Sequence, residues 1–218
     1  MTAYLDIVDE LGADHVLDVG CGTGCLAILL ADSGRTVVGV DPAEASLEVA
    51  KSKDRAGKIT WVHGDATTVP TTDIDLAVMA GNVAQVFLTD DEWIRTLQGI
   101  RTALRPDGYL VFETRRPERR IWDEWAADAG QVIVDIPEVG TVERRFKVTD
   151  VSLPFVSFCY VYRFLTDGSV VTSESILRFR GRAEAETSLV AHDYRVLDVR
   201  EAPDRPGREF VFIAQRAT

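Results

Sequence analysis

The chain has 218 residues, 46% hydrophobic and 27% charged, a composition that excludes a disordered tail and fits one compact folded domain with room for an insertion. Its formal net charge of −11 excludes a general nucleic-acid role, which needs dense Lys and Arg, and makes a small or neutral partner the better fit. No leader pattern and no run of about 18 apolar residues occurs, and Cys21, Cys25 and Cys159 neither pair off completely nor show metal-ligand spacing; a reduced, cytoplasmic protein off the membrane and without a metal is expected.

Charge divides the chain. Residues 1–113 carry 18 acids against 8 bases, whereas 114–218 carry 17 against 16, so the two parts are expected to do different jobs. Along the first part, Thr2 to Leu11 has a helical stripe ending at Gly12, leaving only about fourteen residues before the first strand. Val16 to Val19 is a β-rich run that breaks into Gly20, Gly22 and Gly24, and an apolar helix follows as far as Gly34. Thr36 to Val40 predicts a second strand, ending at Asp41-Pro42, with a helix from Ala43 to Lys53. Ile59 to Val62 and Ile74 to Met79 are the third and fourth strands. Thr89 with Glu92 forms a capping box for a helix with Trp93, Ile94, Leu97, Ile100 and Leu104 on one face. After the turn at 105–108, Tyr109 to Glu113 is the fifth strand. Strands alternating with helices predict an α/β fold with an open, mostly parallel sheet covered on both faces.

The second part differs. A helix is expected over Pro117 to Ala129, then four β-rich stretches: Val132 to Ile136, Thr141 to Val151, Phe155 to Leu165 and Val170 to Arg180. Asp167-Gly168 between the last two marks a hairpin, and the group reads as an antiparallel insertion. A helix over Arg182 to Ala191 precedes two strands, Tyr194 to Arg200 and Arg208 to Gln215. Their connection is too short for a parallel crossover, so they should pair antiparallel.

The chemistry concentrates at strand ends. Glycines after the first strand let a ligand approach the backbone, in the crevice at the carboxyl ends of parallel strands where such sheets bind ligands. The spacing Gly20-x-Gly22-x-Gly24 is not that of dinucleotide enzymes, and Asp18 just before it would repel a phosphate but suits a ligand with a cationic tail.

Asp18-Val19-Gly20-Cys21-Gly22-Thr23-Gly24, Val38-Gly39-Val40-Asp41, Gly64-Asp65-Ala66 and Leu104-Arg105-Pro106-Asp107-Gly108-Tyr109-Leu110, in that order, resemble class I S-adenosylmethionine-dependent methyltransferases. The resemblance implies a Rossmann-like, seven-stranded, mostly parallel sheet with an antiparallel final strand and helices on both faces. It implies S-adenosyl-L-methionine as cofactor, with its methionine part over the loop of Asp18, Gly20, Cys21, Gly22, Thr23 and Gly24. Asp41, followed by Pro42, would take the ribose hydroxyls, Asp65 and Ala66 the adenine, and Gly81, Asn82 and Val83 would line the reactive methyl. Residues 1–114 and 182–218 form the core of this reading, and 115–181 the insertion capping a small-molecule acceptor. The fourth strand ends without the Asn/Asp-Pro-Pro-Tyr/Phe pattern of enzymes acting on nucleobase or glutamine nitrogens.

Other residues have a plain reading beside a functional one. His15, His63 and His192 lack ligand partners in sequence and read as structural or surface groups. Trp122 and Trp125 read as packing, with an aromatic cage as the alternative. Tyr160, Tyr162 and Phe164 share a face that is either sheet packing or a substrate wall. The paired arginines read as solvated, except that Arg115 or Arg116, just past the fifth strand, would suit a substrate carboxylate or phosphate. Methyl transfer to nitrogen or oxygen needs alignment and exclusion of water more than a fixed catalytic residue, which stays unassigned; Glu113, Tyr160, Tyr162 and His192 are unranked candidates for a base. The competing readings are a nicotinamide-dependent oxidoreductase and a non-catalytic S-adenosylmethionine-binding subunit. A homodimer would form through the exposed face of the insertion.

Overall fold

The computed structural model describes residues 2–70, 73–128 and 130–217. Seven strands form the main sheet: β1 (His15–Val19), β2 (Thr36–Asp41), β3 (Ile59–His63), β4 (Ile74–Met79), β5 (Leu104–Arg115), β10 (Tyr194–Glu201) and β11 (Glu209–Arg216). Their order is β10-β11-β5-β4-β1-β2-β3. β1 to β5 pair in parallel, whereas β11 lies antiparallel between β5 and β10. The strand order reverses between β1 and β4, which opens a crevice at their carboxyl ends.

Alternation along each strand fills both faces. Leu17, Met79, Leu110, Phe112 and Phe212 pack under α4 (Asp90–Ala103) and α6 (Arg182–Ala191). Val16, Leu76, Val111, Val211 and Ile213 pack under α1 (Thr2–Glu10) and α2 (Cys25–Asp32). Because both faces are covered, β4 and β11 read as continuous apolar runs. The capping box at α4 is formed: the Thr89 hydroxyl accepts from the Glu92 amide at 3.2 Å, and the Glu92 carboxylate accepts from the Thr89 amide at 2.9 Å. The remaining main helix, α3 (Glu44–Lys53), follows β2.

The insertion is a second, antiparallel sheet of β6 (Gln131–Ile136), β7 (Gly140–Ser152), β8 (Phe155–Phe164) and β9 (Val170–Arg178), in chain order. At the β8–β9 turn Asp167 accepts from the Ser169 amide at 2.8 Å, and Gly168 takes φ +75°. Helix α5 (Ile121–Ala127) buries Ile121 and Trp122 against Val156, Leu177 and Phe179.

Three segments differ from the sequence expectation. The helix expected over Pro117 to Ala129 is a 3-10 turn at Pro117–Arg119 followed by α5, because Arg120 adopts φ +49° between them and ties its guanidinium to Asp123 at 2.7 Å; Ala129 lies outside the described residues. The fifth strand starts at Leu104 rather than Tyr109, since Leu104 already pairs with Ile74 and a register shift absorbs the intervening turn. β9 ends at Arg178, where Phe179 turns to donate its amide to the Pro154 carbonyl at 2.8 Å.

Candidate functional site

The glycine loop leaves β1 by donating the Gly20 and Cys21 amides to the Val40 carbonyl, at 2.9 and 3.1 Å, so the loop is tied to β2. Gly20 has φ +69°, and a Cβ there would stand 2.7 Å from Val83 Cγ2; only glycine allows the two segments so close. The Asp41 carboxylate, buried at the end of β2, accepts the Gly22 amide at 2.8 Å and the Ala43 amide at 2.8 Å. One side chain thus orders the loop and the entry to α3, and each oxygen keeps a further lone pair. Asp18 is 2% exposed and its Oδ2 has no partner among the described residues. Burial, with the Asp41 charge adding to it and an Ala27 amide opposing it, pushes its carboxyl up to about 7. Burial also raises the Cys21 thiol to about 12.

A cavity of about 260 Å³ opens at these strand ends, lined by apolar Val19, Val40, Val83, Val86 and Phe87, with Asp41 and Asp65 as its only charged groups among the described residues. Of the sequence-predicted residues, Gly20, Asp41, Pro42, Asp65, Ala66 and Val83 line it. Asp65 is exposed and one oxygen is engaged by the Thr67 amide at 2.8 Å and hydroxyl at 2.6 Å. Cys21, Gly22, Thr23 and Gly24 continue the loop beyond this lining, and Asp18, buried on β1, is not part of it. Gly81 and Asn82 stand at the end of β4. Gly64, quoted with the third motif, lines it too, whereas Val86, Phe87 and Thr96 line it and carried no signal in sequence.

Gly81 and Asn82 both have left-handed backbone, φ +71° and +63°, a pair of conformations that glycine and asparagine tolerate. Glu113, at the end of β5, holds them: its Oε1 accepts the Gly81 amide at 3.0 Å, the Asn82 amide at 3.2 Å and the Asn82 side-chain amide at 3.3 Å. Asn82 also donates to Glu209 at 3.2 Å, and Arg205 lies 3.0 Å from Glu209 and 3.4 Å from Glu113. Both carboxylates are 2% exposed, and burial together with the Glu113 charge raises the pKa of Glu209. Asn82 Oδ1 and Glu209 Oε2 are buried without partners among the described residues. Glu209, at the head of an apolar strand, and fully buried Gln85 were missed; an acid opening the run to Ala214 is the one signal available for Glu209.

A second cavity, of about 550 Å³, lies between the end of β5 and the inserted sheet, lined by Trp125, Phe146, Phe158, Tyr160, Arg115 and Arg144 among others. The two tryptophans therefore separate: Trp122 is core, edge-on to Phe179, and Trp125 faces the cavity. Arg115 links the cavities, donating its amide and Nη1 to Gln85 Oε1 at 3.4 and 3.0 Å, in the same turn that presents Val83. Arg116 instead pairs with Glu201 at 3.0 Å and lies over Phe210. Arg180, 4% exposed, donates to the carbonyls of Ala84, Phe87 and Thr89 and so fixes the end of the insertion to the segment between β4 and α4. Ring nitrogens of His15, His63 and His192 contact the backbone carbonyls of Asp73, Pro42 and Ser188. Among the described residues no group of three or more His, Cys, Asp or Glu is placed to hold a metal ion, and no helix is long and apolar enough to cross a membrane.

Residues 16–108 match the family model described as a methyltransferase domain. An uncharacterized methyltransferase of Anoxybacillus flavithermus is 30% identical over 183 residues, 83% of this chain and 81% of that one. One from Oceanobacillus iheyensis is 35% identical over 108 residues, half of each chain, so this chain spans about half the length of several relatives it matches. Among solved structures, an amino pentose methyltransferase from Micromonospora echinaspora superposes with a TM-score of 0.74 at 23% identity, over 99% of this chain and 91% of that one, a likeness of fold.

Proposed function

This chain belongs to the class I S-adenosylmethionine-dependent methyltransferases, and from that premise we propose that it methylates a nitrogen or oxygen of a small molecule held beneath the inserted sheet. Family membership displaces the nicotinamide alternative. The observation that carries the reading is the pairing of two cavities, one at the strand ends and one under the insertion, joined by the short segment from Asn82 to Gln85 and Arg115.

The first cavity suits S-adenosyl-L-methionine. Among the described residues its lining contains no Lys or Arg, as a dinucleotide pyrophosphate would want, and its two carboxylates suit ligand hydroxyl and amino donors. Apolar walls suit a purine, and the orphaned Asp18 oxygen lies behind the loop expected to meet a cationic tail. When bound, the cofactor supplies a methyl group on a positively charged sulfur. In this reading Asp41 accepts from the ribose, Asp65 and Ala66 hold the adenine, and Gly81, Asn82 and Val83 line the methyl. Glu113 fixes that last segment through three hydrogen bonds to one oxygen and is a positioning residue. The insertion excludes water and aligns the acceptor, which is most of what the reaction asks of the protein. The relative named an amino pentose methyltransferase supports a small acceptor, and the net charge of −11 supports one that is not nucleic acid. We place the activity in the cytoplasm, with the chain paired through its insertion.

Calorimetric titration with S-adenosylhomocysteine, repeated on Asp41→Ala and with NAD as control, tests the cofactor site. Micromolar binding lost in the variant and absent for NAD is expected; equal binding by the variant would sink the assignment. Transfer from isotopically labelled S-adenosylmethionine to an acceptor panel separates an enzyme from a binding-only subunit.

A further inference from the structure

Resting on that reading, the 550 Å³ cavity specifies its acceptor further. Its lining puts Arg115, Arg144 and Arg208 against Glu124 and Asp128, an excess of positive charge in a chain whose net charge is −11. Glu124 is already committed, 2.8 Å from Arg119 and 3.4 Å from Arg208. Arg144 has no ion pair among the described residues and lies over the Tyr160 ring at 5.6 Å. Arg115 lies 5.1 Å over Trp125; Gln85 takes its Nη1, and its nearest carboxylate, Glu209, is 3.9 Å from Nε. Its Nη2 edge is left for another acceptor.

The uncharged wall combines four aromatic side chains with Ile121, Gly130, Val132 and Leu177. Trp125 meets Phe158 edge-on at 5.7 Å, and Phe146 packs against Phe158 at 5.4 Å and Tyr160 at 4.9 Å. Phe146 and Tyr160 are register partners across β7 and β8, so the wall is built by the sheet itself. Flat π faces beside guanidinium groups match a ring carrying a planar oxyanion, since guanidinium binds carboxylate bidentately and stacks on aromatics.

We propose that the acceptor is an aromatic or heteroaromatic acid, its carboxylate held by Arg115 with Arg144 as the second cation and its ring laid among Trp125, Phe146, Phe158 and Tyr160. Arg115 then acts as the specificity-determining residue, placing the acceptor against the turn that carries Asn82 and Val83.

The probes are 4-hydroxybenzoate, its neutral amide 4-hydroxybenzamide, and the cation tyramine, titrated calorimetrically into the full chain at pH 7.5 with and without S-adenosylhomocysteine. The acid is expected to bind at least tenfold more tightly than the amide. Arg115→Gln should bring the acid to the level of the amide and leave the amide unchanged, Arg115→Lys should recover part of the loss, and Arg144→Gln should cost the acid about threefold by removing the more exposed cation. Should Arg115→Gln not fold, the lysine and Arg144 variants decide. Equal affinity for acid and amide, no acid binding at millimolar concentration, or preference for tyramine, which would make Asp128 the anchor, each overturns the proposal. S-adenosylhomocysteine binding is the separate readout: its absence in the unmodified chain defeats the cofactor assignment, whereas its retention beside acid indifference defeats only the acceptor class.

Discussion

The two sheets of this chain solve the problem of burial differently. In the seven-stranded sheet β1, β4 and β11 are closed on both faces, and residues such as Leu17, Leu76 and Phe212 are wholly shielded. In the inserted sheet every residue of β6 is exposed, including Ile133 at 58%, and the strands hold together around Trp122, Val156, Leu177 and Phe179. The first sheet is stabilised by apolar area spread over many residues; the second depends on a few large aromatic side chains. A region of the second kind can change its lining without disturbing the first, as the role proposed for the insertion requires.

That contrast can be broken most directly at Trp122. Trp122→Ala should cost about 3–5 kcal/mol of local stability, seen as faster hydrogen exchange across β6 to β9, with S-adenosylhomocysteine affinity within about threefold of wild type. Collapse of cofactor binding would show that the sheets are one cooperative unit. Next in size is Glu113→Ala, which strands the Gly81 and Asn82 amides and should cost about 2–3 kcal/mol. Glu113→Gln, which keeps an acceptor oxygen, should recover more than half of it, read by thermal melts and by exchange protection of those two amides.

Asp18 sharpens the comparison from the electrostatic side. Its folded-state carboxyl is raised to about 7 from an ordinary value near 4, so the folded chain binds the extra proton. Its contribution to stability is complete below about pH 4 and lost as pH rises through 7. Asp18→Asn lacks that loss, so its melting temperature should gain on wild type by several degrees between pH 5 and pH 8, about 2–3 kcal/mol. A constant difference across that range would count against an unpaired buried carboxyl. The smallest effect is Thr89→Ala: losing the α4 capping box should cost about 1 kcal/mol in a urea melt and leave both ligand affinities alone.

Legibility in the sequence follows the same division. The bounds of Ile74–Met79 and Arg182–Ala191 were readable because apolar runs, glycines and helix formers agree there, and the glycine loop, Asp41 and Asp65 announced themselves as strand ends. The break at Arg120 had no Gly, Asn or Pro to mark it; an ordinary side chain takes φ +49° beside an acid three residues on. The parting of Trp122 from Trp125 was equally hidden, since helical spacing gives a shared face but not which ring meets the core. Gln85 was silent and Glu209 gave only an acid at the head of an apolar run, because their partners, Arg115 and Asn82, are distant in sequence.

Arg180 carries one more consequence. Its three hydrogen bonds reach from the end of the inserted sheet to Ala84, Phe87 and Thr89, and Phe87 is itself a wall of the strand-end cavity. In the proposed reading this ties the backbone behind one cavity wall to the insertion, and thermodynamic linkage requires that whatever factor the cofactor imposes on acceptor affinity, the acceptor returns on the cofactor. A clamp of this kind makes the order in which the two ligands arrive a matter of kinetics alone, with the free energy of the ternary complex the same by either route.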